Sequence, residues 1–167
     1  MNLLRMIRHL LMTHWQVRHA FPHASLAAIE RAIDQSEAVQ SGEVRFVVEG
    51  ALPFSPLWQQ QTARQRALDV FSQCRIWDTE HNNGVLIYLL LADRQVEIVA
   101  DRGIHERIGS IEWETMCREM ESAFGTGDFA TGAVGGISRV TQHLRQHFPL
   151  EGGRARANEL PNRPVLL

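Results

Sequence analysis

Residues 82–102 read NNGVLIYLLLADRQVEIVADR. Val85 to Leu91 is an unbroken apolar run, bounded by Asn83-Gly84 on one side and Ala92-Asp93-Arg94 on the other. A short run of this kind between turn signals is a strand buried on both faces. Val96, Ile98 and Ala100 then alternate with Glu97, the pattern of a second strand with one wetter face. The polar residues between them, Asp93, Arg94 and Gln95, are too few for a helical crossover. The two strands therefore form an antiparallel hairpin. A strand coated on both sides needs helices above and below it.

The flanking chain supplies those helices. Leu4, Ile7, Leu11 and Trp15 recur at helical spacing, so Leu3 to Arg18 reads as a basic amphipathic helix. Ser25 is the expected N-cap of a second helix with Leu26, Ile29 and Ile33 on its buried stripe. Val44, Phe46 and Val48 alternate with Glu43, Arg45 and Glu49 as a first strand with one polar face. Ser55-Pro56 reads as a helix start, with the helix running on through Ala67, Leu68, Phe71 and Cys74. Beyond the hairpin, Trp113, Met116, Met120 and Phe124 mark one helix, and Ala133, Ile137, Val140 and Leu144 mark another. Gly132, Gly135 and Gly136 inside the last pattern read as close-packing positions.

The helix between the first strand and Val85 is long enough to make those strands parallel. The fold class is α/β: a three-layer α/β/α sandwich with a small mixed sheet containing a central antiparallel hairpin. Residues 1–24 form the basic N-terminal helix, 25–149 the sandwich, and 150–167, rich in Gly, Arg, Asn and Pro, a flexible tail.

Composition narrows the function classes. The chain has 167 residues, a net charge of -2 and 44% hydrophobic residues, an ordinary globular profile with no electrostatic case for nucleic acid. Cys74 and Cys117 fall inside helical patterns and read as small, reduced core residues. With reduced thiols and neither a long apolar run nor a cleavable leader pattern, the expected location is cytoplasmic, with peripheral membrane contact through Leu3–Arg18 as an addition. Residues 1–29 hold no Asp or Glu but contain Arg5, Arg8, Arg18 and four histidines. Such a helix either lies on an anionic membrane or packs its apolar face on the domain with its arginines solvated. The second alternative is preferred here.

Candidate chemistry collects in three loops: 77–84, 101–107 and 125–128. The first two flank an antiparallel pair, so they share one end of the sheet. Asp78, Glu80, Asn82, Asn83 and Asp101, with Asp128 from the third loop, are hard oxygen ligands suited to Ca²⁺ or Mg²⁺. The competing reading is turn and cap residues: Asn83-Gly84 as a turn, Asp78 and Asp128 at helix ends, Asp101-Arg102 as a surface pair. No nucleophile elbow, phosphate-binding loop, dinucleotide fingerprint or zinc spacing is present, and catalytic residues are not assigned.

Asn82-Asn83-Gly84-Val85-Leu86-Ile87, Asp93-Arg94, Val96-Glu97-Ile98, Gly103-Ile104 and Phe124-x-x-Gly127-Asp128-Phe129-x-x-Gly132 together resemble the TPM domain family. That family includes thylakoid-lumen and photosystem-repair proteins and bacterial proteins often encoded near LemA. The resemblance spans residues 40–149 and looks most like a cytosolic branch. It implies an α/β/α sandwich. Among members some are described as acid phosphatases, some bind Ca²⁺ or other divalent ions, and many are tied to assembly or repair of membrane complexes. The aspartate-rich motif of exported members has no counterpart around Ser41-Gly42-Glu43-Val44. The expectation is a TPM-like accessory domain acting through protein contacts with a LemA-like or other membrane-associated partner. The alternative is a divalent-metal-dependent, phosphatase-like hydrolase using the loop carboxylates.

Overall fold

The computed structural model describes residues 3–150 and 158–167. Its elements run α1 (Leu3–Leu11), α2 (His14–Ala20), α3 (His23–Glu37), β1 (Glu43–Glu49), α4 (Phe54–Trp58), α5 (Ala63–Gln73), β2 (Gly84–Leu90), β3 (Gln95–Ala100), α6 (Arg102–Ile108), α7 (Ser110–Gly125), α8 (Phe129–His147) and β4 (Val165–Leu166). The sheet order is β3-β2-β1-β4. β2 and β3 pair antiparallel with Ile87 opposite Ile98, and β1 and β2 pair parallel with Phe46 opposite Ile87. The hairpin and the parallel crossover are therefore as the pattern predicts.

The all-apolar β2 is buried along its whole length. Because side chains alternate, Val85, Ile87 and Leu89 enter one core with Phe46, Ile29, Ile33, Met116 and Ile137. Leu86, Tyr88 and Leu90 enter a second core with Val47, Ala67, Val70 and Ile76. Helices α3, α7 and α8 cover the first face and α4 and α5 the second, giving the expected α/β/α layering. The α7–α8 contact is tight. A Cβ on Gly136 would lie 2.2 Å from Met120 Sδ, which is the close packing foreseen for this glycine. Cys74 and Cys117 are free and partly buried, each packed against one core. Burial pushes the Cys117 thiol up to about 12, so it is an inert thiol.

Several local expectations are corrected. The N-terminal helix is two helices. Thr13 adopts an extended backbone and makes a capping box with Gln16, which ends α1 and starts α2. The second helix begins at His23 after Pro22, without a side-chain cap, rather than at Ser25. The Ser55–Cys74 helix is likewise broken, because Thr62 and Gln65 form a second capping box that restarts the chain as α5. The polar loop 101–107 is mostly helix α6, capped by Asp101.

The polar face of β1 is not wet: all seven of its residues are buried. Part of the covering comes from the stretch expected to be a flexible tail. Residues 151–157 lie outside the described residues. Residues 158–167 instead return to the sheet, where β4 pairs parallel with β1 at Val47–Val165 and Leu160 joins the second core. Glu43 receives the amides of Glu159 and Leu160, at 3.2 Å each, which holds this segment down. No described helix is long and apolar enough to cross a membrane.

Candidate functional site

The entry end of β2 and the exit end of β3 meet, as the antiparallel pairing requires. Asp101 donates its amide to Gly84 O at 2.9 Å. A Cβ on Gly103 would come within 2.6 Å of Asn82 O and 2.8 Å of His81 O, so the start of α6 sits against the 81–82 backbone. Asn83 is fully buried. Its amide donates to Thr79 Oγ1 at 3.2 Å and its Nδ2 to Ser41 O at 3.0 Å. Asp101 Oδ1 accepts the Arg102 amide at 2.7 Å. Two acceptors remain: Asn83 Oδ1 and Asp101 Oδ2 are buried without a hydrogen-bond partner. Leaving such an atom unpaired is costly, so a donor or a cation at either one is favoured.

The other expected ligands are all exposed, unlike these two. Asp78 and Glu80 are exposed, and the Glu80 amide donates to Glu159 Oε2 at 3.1 Å. Asn82 is exposed with φ of 51°. Asp128 caps α8, its Oδ1 accepting the Thr131 amide at 3.4 Å. It lines a cavity of about 620 Å³ with Leu89, Leu91 and Arg94, at the opposite end of β2 from Asn83. Asp128 is thus removed from the entry-end cluster. Its loop joins two helices, so strand pairing does not constrain its end of the sheet. No cluster of three His, Cys, Asp or Glu side chains with metal-site geometry occurs among the described residues.

Two other polar constructions escaped sequence reasoning. At the β2–β3 turn, Asp93 accepts two hydrogen bonds from Arg5, from Nη2 at 2.8 Å and Nε at 2.9 Å. His9 Nε2 lies 3.1 Å from Asp93 Oδ1, while His9 Nδ1 accepts the Leu52 amide at 3.0 Å. The Leu52 bond leaves the ring proton on Nε2, aimed at the carboxylate. Burial alone raises the Asp93 carboxyl; the bonds from Arg5 and His9 outweigh it and hold the group below its ordinary range. Beside the second core, Glu49 accepts from Tyr88 Oη at 2.7 Å and from Arg66 Nε at 2.8 Å and Nη2 at 3.0 Å. Both constructions join residues far apart in the chain. The one sequence signal was the charge at Glu49, on the alternating polar positions of β1.

The Asp93 contact sets how α1 faces. Arg5 and His9 turn inward, and the apolar side of the helix turns out. Leu3, Leu4, Ile7, Leu10 and Leu11 are all exposed, Leu4 at 72%, and Trp15 of α2 is exposed at 70%. The preferred alternative, apolar side packed and arginines solvated, therefore fails for the leucines and for Arg5, while Arg8 is solvent-exposed. A row of five large apolar side chains on one short helix exceeds the scattered singles normal for a protein surface.

A family model described as TPM domain matches residues 18–143. Among solved structures, the NMR structure of the BA42 protein from the psychrophilic bacterium Bizionia argentinensis is similar, with a TM-score of 0.74 and 30% identity. The similarity covers 86% of this chain and 93% of that one. No curated protein matches the chain.

Proposed function

The chain belongs to the TPM domain family, and on that premise we propose that it is a non-enzymatic accessory domain working by contact at a membrane surface, where α1 holds it. The observation that supports this is the outward apolar face of α1. Burying one leucine contributes roughly 1.5–3 kcal/mol at most, so several together suffice for reversible interfacial binding. The charge pattern fits an anionic bilayer: residues 1–29 contain no carboxylate, and Arg8 of the same helix is exposed. Trp15 is suited to the headgroup level. At such a surface the domain serves membrane-associated complexes through protein contacts, with a LemA-like protein as one candidate partner.

Flotation with phosphatidylglycerol vesicles tests the reading. The wild type co-floats, and the Leu4→Glu/Leu10→Glu double variant, altered only at exposed positions, stays at the bottom. Equal flotation of both, or of neither, sinks the membrane assignment. Capture of a membrane protein by a wild type that does not float would move the docking face to that protein.

A second reading is favoured by the paired orphan acceptors Asn83 Oδ1 and Asp101 Oδ2. A Ca²⁺ or Mg²⁺ ion there would satisfy both, with nearby backbone carbonyls as further oxygen ligands, and would support phosphatase-like hydrolysis. Thermal unfolding with and without each ion, and phosphomonoester hydrolysis in their presence, test it. No ion-dependent shift and no turnover in the wild type dispose of it. A shift lost in Asp101→Asn supports it.

A further inference from the structure

Helix α4 carries an aromatic pair that the sandwich does not use. Leu57 is its one buried side chain and enters the second core. Phe54 and Trp58, one helical turn apart, stack with ring centroids 5.9 Å apart and stay 62% and 56% exposed. Two large aromatics side by side in water exceed the isolated apolar residues normal for a surface. The chain around them is neutral, because residues 50–63 contain no charged residue. Sinking this segment into an apolar interface therefore desolvates no charge of its own.

Helix α1 holds α4 on both flanks. His9 Nδ1 accepts the Leu52 amide at 3.0 Å, just before α4, and Arg5 Nη2 donates to Gln61 O at 2.7 Å, just after it. Met6, between those two side chains in sequence, packs against the core that holds Leu57. The apolar row of α1 and the aromatic pair of α4 are thus fixed on neighbouring elements. Both elements lie where β1 and β2 end, as the Leu91 and Ala92 amides donate to Glu49 O and Gly50 O there. Asn83 and Asp101 are at the opposite end of β2.

We infer that Phe54 and Trp58 are a second membrane-insertion element, which enters the interface of an anionic bilayer beside α1. This rests on the membrane reading above and adds the residues that fix the domain's orientation there. Phe and Trp suit the boundary between headgroups and acyl chains. With no carboxylate in residues 1–29 and no charge in 50–63, neither segment is repelled by anionic lipid. One helix lying in the interface leaves the domain free to roll about that helix axis. A second contact off the axis stops the roll. The exit ends of β1 and β2 then face the lipid, and the Asn83–Asp101 end faces the aqueous side.

Flotation over graded amounts of phosphatidylglycerol vesicles, with hydrogen–deuterium exchange on the vesicle-bound full chain, tests this. Phe54→Gln/Trp58→Gln, altered only at exposed positions, should need about tenfold more lipid for half-maximal binding. Wild-type amides within 54–58 should gain protection on the vesicles, while those within 79–83 do not. The exchange measurement uses the unaltered chain, so it stands even if the variant misfolds. A wild type that does not float overturns this inference together with the membrane reading. A wild type that floats, with equal flotation of the variant or no gained protection within 54–58, overturns this inference alone and leaves α1 as the anchor. Protection within 54–58 that requires an added membrane protein assigns the pair to a protein contact and overturns it as well.

Discussion

Arg5 of α1 and Asp93 of the β2–β3 turn, 88 residues apart, form a two-pronged ion pair at 2.8 and 2.9 Å. It is the main polar tie between α1 and the sandwich, and His9 adds a third contact to the same carboxylate. Its geometry explains why a helix rich in leucine shows that leucine to solvent. The cationic side is anchored, so the apolar side is left outward.

Asp93→Asn removes the charge that Arg5 and His9 share. Breaking a mostly buried pair by altering one partner costs about 3 kcal/mol. Hydrogen–deuterium exchange should show α1 amides losing protection while β2 and α8 keep theirs. Unchanged protection of α1 would mean that the helix is held by other contacts.

The same carboxylate sets an acid limit. Its folded pKa lies below its ordinary value, so its contribution is complete above that value and is lost as pH falls through the folded one. Protection of α1 should therefore hold at neutral pH and fail below about pH 4. Asp93→Asn should abolish this acid step.

Glu37 behaves in the opposite sense. Burial, reinforced by Glu43, raises its carboxyl from near 4.5 to about 8. The folded state binds this proton more tightly than the unfolded state, so stability declines as pH rises from about 4.5 to about 8. Glu37→Gln, measured by thermal unfolding across that window, should flatten the decline. An identical slope in wild type and variant refutes the assignment.

Tyr88→Phe removes one donor from Glu49 but leaves Arg66 in place. A loss of about 1 kcal/mol is expected, the usual net worth of one hydrogen bond. Glu49→Leu orphans the Arg66 guanidinium and should cost about 3–5 kcal/mol. Denaturant midpoints for the two variants check both size and order.

Two glycines should respond with opposite signs. A Cβ on Gly84 would sit 2.1 Å from Ile76 O, a backbone atom that cannot swing aside, so Gly84→Ala should cost about 3 kcal/mol or more. Gly135 is an exposed position within α8 with open space around its Cα. Gly135→Ala should stabilise by about 0.5–1 kcal/mol through helix propensity. Chemical denaturation of both variants tests the pair.

Wherever the information was local, it was legible in the chain. The apolar run 85–91 determined a strand buried on both faces, the short polar gap determined the hairpin, and helical periodicity located α7 and α8. The break at Thr13 is also written locally, as a capping box of Thr13 and Gln16, although the leucine spacing continues across it. The neighbourhood of Asn83 and Asp101 followed from antiparallel pairing, because that pairing fixes which chain ends meet.

The remainder depended on contacts between distant residues. Nothing near Asp93 names Arg5 or His9 as its partners, and without that pairing an amphipathic helix has no reason to turn its leucines outward. Asp128 falls at the far end of β2 because a helix–helix loop carries no strand register. Residues 158–167 return to the sheet because the edge of β1 offers them unpaired backbone, a vacancy that exists only after the sheet has assembled. Amino-acid pattern determined which segments are strands and helices; which charge meets which, and which face stays bare, was decided by three-dimensional packing, since electrostatic pairing and desolvation act through space rather than along the chain.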